Sequence, residues 1–205
     1  MRRNRLLALL PAAALAVSVV LAGCSKDDSS SGSDTSDTTE AAVSRPCTVK
    51  GVAPTDPPAP TYVGSSGQPE PLTADETANL ATIAKRGKPD VTVPKDLPAE
   101  LKITDDVVGT GAEVQATSSV IAEYVGVGAD SCQQFDSSWD NGSPIGFPLD
   151  GVIKGWSEGL VGMKAGGRRT LTIPGSLAYG QNPPPGSGIG PDETLVFVVD
   201  MVGVR

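Results

Sequence analysis

Residues 96–205 predict an α+β fold, a twisted antiparallel β-sheet half-barrel wrapped around one short α-helix. Three observations predict it. From about residue 96 onward, short alternating apolar and polar runs are separated by Gly, Pro and Asp turns, the pattern of half-buried strands. The runs "SVIAEYVGV", "RRTLTIPG" and "TLVFVVDMVGV" each carry their large side chains on one face. Between them only "KGWSEGLVGMKAGG" has helical spacing. A sheet with one apolar face and a single short helix pack most simply against each other.

The elements follow in chain order. Residues 1–23 read as an export signal, with a basic start "MRRNR" and an apolar run "LLALLPAAALAVSVV" that leads to "LAGC" and Cys24. That run contains Pro11, falls short of the roughly 20 residues needed to span a bilayer, and lacks a basic stop-transfer cluster. "LAGC" resembles the bacterial lipobox, which implies that Cys24 is lipidated and becomes the new N-terminus. Two acyl chains would then hold the protein at the extracytoplasmic side of a membrane in the cell envelope, tethered and not embedded. Residues 24–45 are an acidic Ser/Thr/Asp tether with too little apolar content to fold. Residues 46–95 form an N-terminal extension, with "APTDPPAPTYVGSSGQPEP" reading as extended, proline-rich loop and "TADETANLATIAKRGKP" as one short helix. Thr73 and Glu76 have capping-box spacing, Leu80 and Ile83 are the helix's large apolar side chains, and Gly87 followed by Pro89 ends it. So narrow an apolar face implies that the extension lies on the following domain or stays partly mobile.

Within the domain, Ala122 and Tyr124 share a strand face, as do Leu171 and Ile173, and as do Leu195, Phe197, Val199 and Met201 with Asp200 opposite. In the helical stretch Trp156, Leu160 and Met163 fall at i, i+4 and i+7, and Gly166 is placed to stop the helix.

Composition narrows the chemistry. The 205-residue chain has no histidine, which excludes Ser-His and Cys-His nucleophilic systems, a histidine general base and His-ligated zinc. Its net charge of -8 becomes -11 once the three arginines of the signal (Arg2, Arg3, Arg5) are subtracted, which argues against nucleic acid as partner. Aromatic residues are few: two Trp, three Tyr and three Phe. Tyr124, Phe197 and Trp156 should converge on the core side of the sheet. For any one ring, core packing is the ordinary explanation. For the set, buried phenol hydroxyls and the Asp136 carboxylate beside Phe135 point instead to a ligand pocket.

The motifs "EYVG", "FDSSWD", "VIKGWSEGL", "GRRTLTIP", "LAYG" and "DETLVFVVDMV" occur in an order and spacing that resembles the FKBP-type peptidyl-prolyl cis/trans isomerases over residues 97–205. The lipid-anchored layout looks like exported bacterial members. The resemblance implies a pocket floored by Trp156 and formed with Tyr124, Phe135, Asp136, Phe147, Val152, Ile153, Tyr179, Ile189 and Phe197, with Ile145 also on the substrate side. It implies that the Ile153 backbone N–H and the Tyr179 hydroxyl fix the substrate backbone while Asp136 and Tyr124 form the polar side. It implies no cofactor and no metal, a monomer, proline-containing unfolded or exported polypeptides as partners, and macrolides as pocket ligands.

The sequence departs from the family pattern at several points. Ile145 stands where a ring is common, Leu177 replaces a tyrosine, the segment from Phe147 to Val152 is shorter, and the lip "GQNPPPGSGIG" lacks a histidine. These changes bear on macrolide affinity and on preference for the residue before proline, not on the floor.

If Cys24 is lipidated, Cys47 and Cys132 have one intramolecular pairing open to them; the alternative is two free thiols. A bridge would staple the extension beside the active domain and contribute on the order of 4 kcal/mol in the chain-entropy model. Two functional readings fit these residues. One is an isomerase acting outside the cytoplasm, and the other is a non-catalytic proline-peptide binding or chaperone module on the same fold.

Overall fold

A computed structural model of the protein describes residues 44–52 and 60–205. The signal segment, Cys24 and residues 24–43 of the tether lie outside the described residues. The secondary structure runs β1 (Cys47–Val49), β2 (Thr61–Val63), β3 (Pro69–Pro71), α1 (Ala74–Arg86), β4 (Val91–Val93), β5 (Lys102–Val107), β6 (Ser119–Gly128), β7 (Gln134–Ser137), α2 (Ser138–Asn141), β8 (Ile145–Pro148), α3 (Lys154–Gly159), β9 (Arg168–Ile173) and β10 (Leu195–Val204). Among the described residues no helix is long and apolar enough to cross a membrane.

The fold is the expected sheet-dominated α+β architecture, with an open sheet in the order β3-β2-β8-β6-β10-β9-β5. Strands β6 and β10 pair antiparallel along their length at its centre. The alternation read from the sequence sets the concave face: Ala122, Tyr124, Leu171, Ile173, Leu195, Phe197, Val199 and Met201 pack with Trp156, Leu160 and Met163 in one buried cluster. On its other side β6 divides its partners. Ser119–Ala122 pair with β8, whereas Val125–Val127 pair with β7. The fork falls at Glu123 and Tyr124, where Ser138 takes over: its hydroxyl accepts the Tyr124 N–H at 2.8 Å and donates to the Glu123 carboxylate. A backbone donor that the fork would leave orphaned is thereby satisfied.

Several elements differ from the sequence reading. The helical stretch is cut short, since α3 ends at Gly159 and Leu160 caps it. Met163 reaches the core from a turn beyond the helix, and Gly166 sits in the turn before β9, donating to Met201 O at 2.7 Å, so it does not stop α3. Glycines at 155, 159 and 162 weaken helical propensity, and Gly162 at φ 79° leaves the helical region. The four-residue helix α2 joins α3, and one parallel pair, Val63 with Ile145, enters an otherwise antiparallel sheet. The proline-rich "loop" contains the β2–β3 hairpin. Its short strands keep Pro69 and Pro71 on the sheet's edge, where a missing N–H costs no ladder bond.

The extension belongs to the same compact unit as the domain, so packing runs across residue 96. Helix α1 has the capping box that its sequence specifies: Thr73 N–H donates to Glu76 at 2.8 Å, and Glu76 N–H donates to Thr73 Oγ1 at 3.3 Å. It lies on the convex face of the sheet. Leu80, Ile83, Val91 and Val93 are buried there against Ile121, Val125, Val127, Val196, Val198 and Val202. Polar ties fix the helix: Asn79 donates to Val202 O at 3.0 Å, Arg86 to Gly166 O at 2.9 Å, and Arg168 to Gly87 O at 2.8 Å. Cys47 of β1 is disulfide-bonded to Cys132, with Cα atoms 6.4 Å apart and a sequence separation of 85.

Candidate active site

The fork of β6 opens a cavity of about 320 Å³ on the concave face, with Trp156 at its base. Trp156 stands in the first turn of α3, so its ring lies under the cavity while Leu160 and Met163 fill the core behind it. Three rings surround the indole. Tyr124 is at 5.3 Å and 89°, Phe197 at 5.1 Å and 86°, and Phe147 at 5.2 Å and 58° between planes. Phe135 stands edge-on to Phe197 at 5.5 Å. Such edge-to-face contacts set the negative face of one ring against the positive rim of another, and each is worth about 0.5–1.5 kcal/mol beyond area burial. Gly126 makes this possible, because a Cβ there would lie 2.6 Å from Phe135 and 2.7 Å from Phe197.

One wall is polar. The Tyr124 hydroxyl donates to Asp136 Oδ2 at 2.5 Å, and Asp136 Oδ1 accepts the Ser137 N–H at 2.8 Å. Burial first, and the Asp136 hydrogen bond second, push the Tyr124 phenol well above the ordinary tyrosine range. Burial and the Asp136 charge also raise Tyr179. Both phenols are therefore protonated donors at physiological pH. Tyr179 is 36% exposed at the rim, in the turn that follows β9. Val152 and Ile153 form the entrance. The Ile153 carbonyl accepts from Trp156 N at 2.9 Å and from Ser157 N at 3.2 Å, while its own N–H donates to no protein acceptor among the described residues.

The structure thus brings Tyr124, Phe135, Asp136, Ile145, Phe147, Val152, Ile153, Trp156, Tyr179 and Phe197 around one cavity. Ile189 is not among the lining residues; it is half-buried against the edge of the same core. Gly151 lines the cavity and escaped the sequence reading, since a glycine contributes only backbone there. Mostly apolar walls with a few polar groups, the Tyr124–Asp136 pair among them, are suited to enclosing and orienting a ligand.

Comparison with known proteins gives the family. The sequence profile of the FKBP-type peptidyl-prolyl cis-trans isomerases matches residues 111–202. The chain is 48% identical over 117 residues to a probable FK506-binding protein of Corynebacterium glutamicum, covering 56% of this chain and 97% of that protein. It is 47% identical over 120 residues to an FK506-binding protein of Streptomyces anulatus, covering 57% and 97%. The isomerase FkpA of Escherichia coli is 43% identical over 97 residues, covering 47% of this chain and 35% of that one. The chain belongs to the family of FKBP-type peptidyl-prolyl cis-trans isomerases, and that is its enzyme class.

Proposed function

We propose that the cavity accelerates X-Pro isomerisation in exported polypeptides by binding the twisted amide. The observation that carries this reading is the set of three aromatic rings around Trp156, with an uncommitted Ile153 N–H at the entrance. An X-Pro bond isomerises across a barrier of about 18–20 kcal/mol because the C–N bond must lose its resonance. Water favours the planar, charge-separated amide, so an apolar enclosure favours the twisted form. The prolyl ring would rest on Trp156, the Ile153 N–H and the Tyr179 hydroxyl would hold the flanking carbonyls, and the Tyr124–Asp136 pair would face the rotating carbonyl. Only interactions stronger in the twisted form raise the rate. No proton moves and no covalent intermediate forms. Macrolides would occupy the same cavity.

An isomerase assay on an X-Pro peptide, by protease coupling or NMR exchange, tests this. Asp136→Ala strands the Tyr124 hydroxyl and should lower kcat/KM by roughly tenfold to a hundredfold, while Tyr179→Phe should lower it by about fivefold. Pure wild-type protein without acceleration would leave only a binding or chaperone module.

We further propose that the protein acts as a monomer at the extracytoplasmic face of a membrane, held there through lipidated Cys24. The lipobox-like "LAGC" and the acidic tether behind it support this. Cys24→Ser should move the protein from the membrane to the soluble fraction, and unchanged fractionation would refute the anchor.

A further inference from the structure

Glu193 stands just before β10 and is 4% exposed, yet no Lys or Arg lies within ion-pair distance of it among the described residues. Its carboxylate is held by backbone N–H groups alone, from two separate loops. Oε1 accepts from Asp130 N at 2.9 Å and from Ser131 N at 3.4 Å, and Oε2 accepts from Gly190 N at 2.7 Å. Gly128 leaves the room it occupies, because a Cβ there would lie 2.4 Å from Oε1.

The two loops lead to two different segments that line the cavity. Asp130 and Ser131 precede Cys132 and then β7, which carries Phe135 and Asp136. Gly190 ends the lip that begins after Tyr179. The start of that lip is held by the neighbouring Asp192, whose N–H donates to Gly180 O at 2.7 Å and whose carboxylate accepts from Gln181. Burying a carboxylate without a cation is costly, and an apolar side chain would fill the space at less expense. What the carboxylate provides is charge-assisted attachment of two loops at one point.

From this geometry we infer that Glu193 is a positioning residue that clasps the lip to the Phe135–Asp136 wall and so sets the width of the cavity's mouth and its selectivity for the residues flanking proline. The inference rests on the cavity being the site of turnover. Glutamine at 193 has one acceptor oxygen and turns an NH2 group toward the second set of N–H donors, so it can hold only one wall.

The test is steady-state kinetics of wild type, Glu193→Gln and Glu193→Ala on peptides that vary at the residue before proline. Both variants should raise KM by about tenfold for bulky residues at that position, with kcat changed less than about twofold. The rank order of peptides should flatten. Leu80→Ala, on the far side of the sheet, is the control for lost stability and should leave KM unchanged. Lowered Tm in the Glu193 variants with unaltered KM and rank order would overturn the inference, as would a fall in kcat alone. An inactive wild type would sink the site reading and this inference together, whereas an active wild type with insensitive variants sinks only this one. If neither variant folds, amide hydrogen exchange of the wild type decides. The Asp130 and Gly190 amides should be protected with the same opening free energy, and an unprotected Gly190 beside a protected Asp130 would overturn the clasp.

Discussion

A chain cut to begin at residue 96 should fail to fold stably or should aggregate, although its sequence holds every cavity-lining residue. The convex face of the sheet is the cause. Leu80, Ile83, Val91 and Val93 of the extension are between 0% and 3% exposed, and burying each is worth about 1.5–3 kcal/mol, or roughly 6–12 kcal/mol in all as an upper estimate. That is comparable to the whole stability of an ordinary domain, about 5–15 kcal/mol. Removing them also bares Val125, Val127, Val196 and Val198, a flat patch of β-branched side chains on the two central strands, which is an aggregation hazard. The cut further removes the ties from Asn79 to Val202 and from Arg86 to Asp200, the latter at 3.4 Å, together with the Cys47–Cys132 bridge. Thermal unfolding and size-exclusion chromatography of chains starting at 44 and at 96 check this. A monomeric 96–205 chain with the longer chain's Tm would refute it.

The same residues explain what could be read from the sequence and what could not. The concave face was legible because alternation is a local property: Leu195, Phe197, Val199 and Met201 sit two apart, and a period of two fixes a common face. The convergence of Tyr124, Trp156 and Phe197 was legible from strand alternation and helical spacing, while the remaining lining residues came from the family motifs. The convex face was not legible. Strands β6 and β10 are buried on both sides, so Val196 and Val198 blur the alternation. The cover they require comes mainly from α1, whose narrow apolar stripe does not say which face it meets, and from β4, a three-residue strand too short to show a period. The spacing of Trp156, Leu160 and Met163 overstates the length of α3, because the chain leaves the helix at Gly159; spacing records which side chains reach the core, not the path between them. Glu193 left no signal, since an acid before a strand ordinarily points to water, and two of the three N–H groups that bury it come from a loop some sixty residues away in sequence.

Glu123 should make the protein less stable at pH 8 than near pH 5. Its carboxyl is 2% exposed, and burial, reinforced by Asp200 directly across the strand pair, pushes its pKa from the ordinary 4.5 up to about 7 against the opposing hydrogen bond from Ser138. The folded protein therefore keeps a proton through the interval in which the unfolded chain has released it. With more protons bound to the native state, stability falls as pH rises, by about 1.4 kcal/mol per unit and about 3 kcal/mol in total between the unfolded and folded pKa values. Asp200 adds a trend of the same sign, because burial raises it too, although Arg168 at 2.8 Å and Arg86 at 3.4 Å oppose the shift. Glu76 works in the other direction. Arg205 and the capping N–H of Thr73 hold its carboxyl below the ordinary range, so its contribution is present above the unfolded value of 4.5 and lost only in more acidic solution. The two opposing slopes set a maximum near pH 5. Glutamine at 123 reproduces the neutral acid, keeping an oxygen to accept from Ser138 while removing the charge. Urea unfolding across pH 5–8 should thus show a falling stability in the wild type and a much flatter profile in Glu123→Gln, with the variant the more stable of the two at pH 8. A wild-type profile already flat over that range would mean that the carboxyl ionises in place without penalty, and the Ser138 bridge at the fork of β6 would then hold a charged partner, not a neutral one.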